Sequence, residues 1–68
     1  MLSPLVRTLT ILASDLRPGD VIAVGGIPHR VRDVREVYPA RKRVEFEDGN
    51  AYVVARTRTI DVTRCYEP

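Results

Sequence analysis

Tight-turn signals constrain this chain more than any other feature, because they divide it into short segments rich in β-branched residues. Arg17-Pro18-Gly19-Asp20 carries the proline and glycine of a type II turn. Gly25-Gly26 supplies the positive φ values of a two-residue β-hairpin. Asp48-Gly49 is the strongest hairpin signal and predicts a type I′ turn, with positive φ at both residues. The spacing of these turns predicts an all-β fold.

The segments between the turns predict five strands. Val31, Val34 and Val37 are spaced by three, which fits neither strict alternation nor an uninterrupted helix, so we expect a β-bulge near Asp33. The polar run Arg56-Thr57-Arg58 predicts a single 3₁₀ turn. The predicted strands span residues 21–24, 27–38, 43–47, 51–55 and 59–66.

The N-terminal residues 1–14 form an apolar arm ahead of a barrel predicted for residues 15–68. Within the arm, Leu5 to Leu12 alternates in polarity and is compatible with an extra strand or a short helix. The arm either covers an open edge of the barrel or pairs with a neighbouring chain. Arg7 interrupts its apolar run, so we do not expect a signal peptide, and no segment is long enough to span a membrane.

This order of turns and strands is that of a five-stranded SH3-like barrel. More specifically, Asp15-Leu16-Arg17-Pro18-Gly19-Asp20-Val21-Ile22 followed by Gly26-Ile27-Pro28-His29-Arg30-Val31 resembles the first domain of translation elongation factor P and related KOW-type barrels. The resemblance implies a barrel whose loops contact RNA or ribosomal surfaces. That family carries a modified lysine on a glycine-rich hairpin tip, whereas this chain has Tyr38-Pro39-Ala40-Arg41-Lys42-Arg43 there. We therefore do not predict modification of Lys42.

The composition argues against an enzyme. The chain has 68 residues, one cysteine (Cys65) and one histidine (His29), so it offers no disulfide, no metal-ligand cluster and no evident nucleophile–base pair. We predict no cofactor and no metal, and a reducing cytoplasm fits the single cysteine. The apolar fraction of 44% indicates a folded domain rather than a disordered tail.

Clustered basic residues are the best functional signal. The turn pattern places Arg41, Lys42 and Arg43 at a hairpin tip beside Tyr38, where cations can hold phosphates while the ring stacks on a base. Interleaved acidic residues would neutralise part of this field. The complete predicted nucleic-acid-binding set is Arg30, Arg32, Tyr38, Arg41, Lys42, Arg43, Arg56 and Arg58.

Two functional hypotheses follow from the sequence. The first is a non-enzymatic barrel associated with RNA or DNA, and it predicts binding that weakens steeply with salt. The second is a protein-interaction or assembly module of an accessory or mobile-element protein, self-associating through its N-terminal arm as a homodimer or binding another protein. It predicts little salt sensitivity.

Overall fold

The described part of the protein, residues 5–66, is an antiparallel sheet of six strands. The computed structural model describes residues 5–66, so residues 1–4 of the predicted arm and residues 67–68 of the predicted barrel lie outside the described residues. The strands follow one another in the sheet as β1-β6-β2-β3-β4-β5. They are β1 (Leu5–Leu12), β2 (Val21–Val24), β3 (Ile27–Val37), β4 (Arg41–Phe46), β5 (Ala51–Ala55) and β6 (Thr59–Tyr66), with a 3₁₀ turn at Ala13–Asp15. The all-β prediction is confirmed.

The long strand β3 bends the sheet around the core. Its first half pairs with β2, and the rest, from Val31 onward, pairs with β4. The register shifts between Val31 and Asp33, which confirms the predicted bulge. Such a shift bends a strand, so the first half of β3 can lie in one layer of the sheet with β2 and the second half in the other layer with β4. The core lies between the layers and consists of Ala13, Leu16, Ile22, Val31, Val44, Phe46, Val54 and Val62.

The N-terminal segment is a strand, not a helix. β1 pairs with β6 along its whole length, from Leu5 opposite Tyr66 to Leu12 opposite Thr59. It thereby covers an edge that β6 would otherwise expose. β1 and β5 remain as the two outer strands and do not pair with each other, so the hydrogen-bonded sheet is open. No helix among residues 5–66 is long and apolar enough to cross a membrane.

Two of the three predicted turns form as the sequence indicates. Gly19 has a φ of 94°, and the Asp20 N–H donates to the Arg17 carbonyl oxygen at 3.1 Å, as in a type II turn. Gly25 and Gly26 have φ values of 59° and 80° and connect Val24 directly to its partner Ile27. Glycine adopts these positive φ values without steric cost, so β2 and β3 form a two-residue hairpin.

The Asp48-Gly49 hairpin differs from the prediction in a way that changes the sheet. The Phe46 N–H donates to the Asn50 carbonyl oxygen at 2.9 Å, so the loop has three residues, 47–49. Gly49 has a φ of 91°, whereas Ala40 is the one non-glycine residue of the described chain with positive φ, so Asp48 is not left-handed. The type I′ prediction is therefore wrong, and the loop is a type I turn closed by a left-handed glycine.

This longer loop decides which side of β5 is buried. A two-residue loop would place Glu47 opposite Asn50 and Val44 opposite Val53, whereas the observed register places Val44 opposite Tyr52. Because side chains alternate along a strand, a slip of one residue reverses the facing of the whole strand. As a result Val54 is buried at 4% exposure, and Val53 is exposed at 45%.

The predicted 3₁₀ turn at Arg56-Thr57-Arg58 is a simple hydrogen-bonded turn. The Arg58 N–H donates to the Ala55 carbonyl oxygen at 3.1 Å. The 3₁₀ turn of the described chain lies instead at Ala13–Asp15, and its backbone reaches the turn after β5. There the Ala13 N–H donates to the Arg58 oxygen at 2.9 Å. The two turns therefore support each other.

One ion pair is built into the interior. The Asp20 side chain is 2% exposed and accepts two hydrogen bonds from Arg64, both at 2.8 Å, from Nε and Nη2. It also accepts the Arg17 N–H at 3.0 Å. Burial raises the pKa of Asp20, but the bonds and charge of Arg64 and the Arg17 N–H outweigh it and hold the pKa below its ordinary value.

Candidate nucleic-acid interface

The β3–β4 hairpin ends in an exposed aromatic tip. Its loop is Tyr38-Pro39-Ala40, between Val37 and its partner Arg41, and Tyr38 is 95% exposed. The sequence placed the basic triplet at this tip, but the structure places Arg41, Lys42 and Arg43 in β4, directly after it. An exposed ring at the end of a basic strand is still where an unpaired base could stack.

Strand alternation separates the members of the triplet. Arg41 and Arg43 point to the outer face of the sheet, whereas Lys42 points to the opposite face, where it lies across from Glu36. Its Nζ is 2.8 Å from a Glu36 carboxylate oxygen, and its side chain is only 15% exposed. The hydrogen bond from Lys42 holds the pKa of Glu36 below its ordinary value. Lys42 is therefore less available to a ligand than its neighbours.

On the outer face, three arginines share one glutamate. Glu45 lies 3.1 Å from Arg32, 3.5 Å from Arg43 and 3.7 Å from Arg35. Arg35 also binds Asp33 at 3.0 Å. Hydrogen bonding, with that from Arg32 first, keeps the pKa of Glu45 below its ordinary value. Three guanidinium groups thus share two carboxylates, and one positive charge remains in excess.

The turn after β5 brings Arg56 and Arg58 to the same end of the protein. The Arg56 N–H donates to the Ala40 carbonyl oxygen at 3.1 Å, which fixes this turn beside the hairpin tip. The Arg56 guanidinium lies 3.6 Å from Glu36. Arg41 and Arg58 are exposed and form no ion pair with any described residue. Their guanidinium groups can therefore bind an anion without first breaking a salt bridge.

Arg30 lies apart from this group. It belongs to the half of β3 before the bulge, where it pairs with Val21 of β2. It lines a different cleft of about 380 Å³, together with Arg17, Arg64 and the Pro18–Asp20 turn. The structure thus brings together the other seven predicted residues along β3, β4 and the turn after β5, and leaves Arg30 outside that set.

Charge is unevenly distributed as a result. We define the basic end as residues 32–45 and 55–58, which form the β3–β4 hairpin beyond the bulge and the turn after β5. It contains seven basic residues and three carboxylates, Asp33, Glu36 and Glu45, whereas the whole chain has a net charge of only +2. The rest of the protein therefore carries a net negative charge. Such polarity orients a protein toward a polyanion.

Sequence reasoning omitted one residue of the basic end from the predicted site and did not foresee the buried pair. Arg35 lies directly opposite Arg43 in the β3–β4 ladder. The predicted bulge at Asp33 could have indicated Arg35, because a bulge determines to which face of the sheet every later residue of β3 points. The pair between Asp20 and Arg64 joins residues 44 positions apart and left no local signal in the sequence.

The remaining chemically active residues are dispersed. His29 Nδ1 lies 2.7 Å from Asp48, and the ring lies against Phe46 with centroids 5.0 Å apart. Cys65 is exposed on β6. Within residues 5–66, no group of three or more His, Cys, Asp or Glu side chains could hold a metal ion.

Comparison with known proteins gives no relative for this chain. No protein-family model matches it, and no curated protein or solved structure is significantly similar to it.

Proposed function

We propose that this protein is a non-enzymatic nucleic-acid-associated β domain that holds RNA or DNA phosphates at its basic end. The observation that supports this best is the charge polarity, seven basic residues against three carboxylates at one end of a protein of net charge +2. Phosphate contacts supply most of the affinity in sequence-independent binding. We place the protein in the cytoplasm as part of this proposal.

The side chains of the basic end suit this task. Arg41 and Arg58 offer planar guanidinium groups that can bind phosphate through two hydrogen bonds at once. Arg32, Arg35 and Arg43 are held in place by Asp33 and Glu45 and together add one excess positive charge to the outer face. Tyr38, 95% exposed at the tip, offers a stacking surface for an unpaired base.

The strand order supports the same proposal. Strands β2 to β5 form a meander, and β6 returns to pair with β2, in the order expected of an SH3-like barrel. The proposed relation is to the KOW-type barrels and the first domain of elongation factor P. Since one fold serves many functions, the charge distribution carries more weight than the fold.

The test is a fluorescence-anisotropy titration of labelled single- and double-stranded RNA and DNA at several salt concentrations between ~50 and ~200 mM. The key variant is R41A/R58A, because neither arginine forms an ion pair that would change with it. The control is R7A/R17A, which removes the same charge from exposed positions outside the basic end. The log–log slope of affinity against salt should fall by about two for the first variant and stay unchanged for the control.

A second substitution tests the role of the tip. Tyr38→Ala should weaken binding to single strands by about 1–3 kcal/mol and leave duplex binding nearly unchanged, because only unpaired bases can stack on the ring. If the wild-type protein binds none of the four nucleic acids at tens of micromolar in low salt, the proposal is wrong. Equal losses in the key variant and the control would also contradict it.

The alternative is a protein-interaction module, and the exposed apolar residues of β1 favour it. Leu5, Val6 and Leu12 are 52%, 58% and 40% exposed on a strand whose outer edge is unpaired in the described chain. Binding through this surface would be mainly hydrophobic and would therefore change little with salt. Salt sensitivity thus separates the two functions.

A further inference from the structure

The edge strand β5 lacks the features that normally prevent edge strands from pairing. Its five residues, Ala51-Tyr52-Val53-Val54-Ala55, include no charged residue and no proline. β1, the strand at the other edge, carries the charged residue Arg7. Natural sheets protect their edges with lysine, proline, bulges or a covering segment, because an unprotected edge recruits another strand.

The backbone of β5 is oriented for such pairing. The Phe46 N–H donates to Asn50, and the Arg56 N–H donates to Ala40, which fixes the even-numbered residues as the hydrogen-bonded partners of β4. The N–H and C=O groups of Ala51, Val53 and Ala55 therefore point away from β4. Only the Ala55 oxygen is used, by the Arg58 N–H at 3.1 Å. The others have no backbone partner among the described residues.

The space beside this edge is open. A cleft of about 420 Å³ lies between β5 and the strands β2 and β6, lined by Tyr52, Ile22, Val24 and Ile60 among others. Tyr52 is 39% exposed and Val53 is 45% exposed. An added strand would cover both side chains, so hydrophobic burial would accompany the new hydrogen bonds.

We propose that two copies of this protein associate through β5, forming an antiparallel β5–β5 pair about a two-fold axis at Val53. The Val53 N–H would donate to the carbonyl oxygen of the partner subunit's Val53, and the reverse bond would follow by symmetry. The Ala55 N–H would donate to the partner subunit's Ala51. These bonds use groups that β4 leaves unpaired, so the protomer keeps its own sheet.

A second copy fits this edge because the sequence around Val53 is self-complementary. In the two-fold register, Ala51 faces Ala55 and Tyr52 faces Val54, so residues of similar character meet. The chain leaves this register at the 47–49 loop and at the turn after Ala55, so the paired residues are those of β5 itself. The complementarity is reciprocal, as a closed dimer requires.

Repulsion between the two basic surfaces does not prevent this arrangement. Arg43 is next to Val53 in the ladder, so three strand spacings would separate it from the partner subunit's Arg43. At ~4.8 Å per spacing, that distance is about 14 Å. It exceeds the Debye length of about 8 Å at physiological salt, so the repulsion is largely screened.

The test compares one substitution on the two edge strands. Sedimentation velocity from ~1 to ~200 μM measures the dimer dissociation constant of the full chain, of V53K and of V6K. Both valines are exposed, and both variants gain one positive charge. V53K places two lysines across the two-fold axis and should weaken the dimer about tenfold or more, whereas V6K should leave it unchanged.

The outcomes are distinct from those of the nucleic-acid test. A monomer at all concentrations would overturn the dimer, as would a dimer lost in V6K and kept in V53K, or an open-ended polymer. Should V53K unfold, hydrogen exchange on the wild-type chain decides instead. Protection of the Val53 and Ala55 amides should then rise with protein concentration, and constant rapid exchange would contradict the β5 interface.

Discussion

At the scale of single residues, the pair between Asp20 and Arg64 is the most costly interaction to disturb. The Asp20 side chain is 2% exposed and the Arg64 side chain 12% exposed. If one member of such a buried pair is removed, the other stays charged but has no counter-charge. The protein then loses more stability than an exposed ion pair contributes. The pair also connects the Pro18-Gly19 turn to β6, so it fixes where β2 begins.

Asp20→Asn should therefore destabilise the protein by about 3 kcal/mol, since it preserves shape but removes the charge that faces Arg64. With a urea m-value of about 1 kcal/mol/M, the unfolding midpoint should fall by about 3 M. Asp61→Asn is the matched control. Asp61 is exposed on β6, and its carboxylate accepts a hydrogen bond from the Thr10 hydroxyl, so a loss of under ~1 kcal/mol is expected. Equal effects at both positions would contradict a special role for Asp20.

At the scale of elements, local sequence specified strands and turn positions well, because both depend on nearby residues. The limits of β5 and β6 agree with the predicted strands, and the bulge in β3 was readable from the spacing of three valines. The two-residue Gly25-Gly26 hairpin was readable for the same reason. The strand signal of Leu5–Leu12 was ambiguous, and its pairing with β6, 47 to 61 residues away, decided it.

The length of the Asp48-Gly49 loop was not predictable from its two residues. Asp48 accepts the Asn50 N–H at 2.9 Å and also contacts His29, and both contacts fix it outside the left-handed region. Its partner His29 is 19 positions away. This tertiary contact accompanies the three-residue loop and thus the exposure of Val53. For the candidate interface, the sequence predicted most of the residues but not their orientation. The side of the sheet to which Lys42 and Arg35 point depends on how β3 and β4 are paired.

Ala40 offers a test of the hairpin that carries Tyr38. Its φ of 51° is left-handed, a conformation that costs an L-residue with a side chain about 1 kcal/mol. Ala40→Gly should therefore raise stability by about 0.5–1 kcal/mol without changing charge. Ala23→Gly, in β2, is the control and should lower stability by a similar amount, because glycine is unfavourable within a strand. Thermal unfolding of both variants measures the difference, and a loss at Ala40 would contradict the left-handed assignment.

At the scale of the whole molecule, carboxylates hold together the basic residues of a small protein. Asp33, Glu36 and Glu45 form ion pairs with Arg32, Arg35, Lys42, Arg43 and Arg56, and Asp20 binds Arg64. The pKa of each of these carboxyl groups lies below its ordinary value in the folded protein. Protonating them removes the counter-charges of the basic end and leaves its arginines facing one another.

The pH dependence of stability follows from the direction of these shifts. A carboxyl group with a lowered folded pKa binds fewer protons when folded, so its contribution is fully present above its unfolded pKa. The ordinary values are 3.8 for Asp20 and Asp33 and 4.5 for Glu36 and Glu45. Stability should therefore be nearly constant between about pH 7 and 5.5 and should fall progressively as the pH drops through the lowered pKa values of the folded state.

Asp20→Asn isolates the part of this acid sensitivity that comes from the buried pair. The variant starts with lower stability at pH 7 but has one fewer carboxyl group to protonate, so its urea midpoint should fall less steeply below about pH 4. The two curves should converge at low pH, where wild-type Asp20 is protonated as well. Parallel curves down to pH 2 would mean that Asp20 titrates alike in the folded and unfolded chains, and that Arg64 gives its charge no net support.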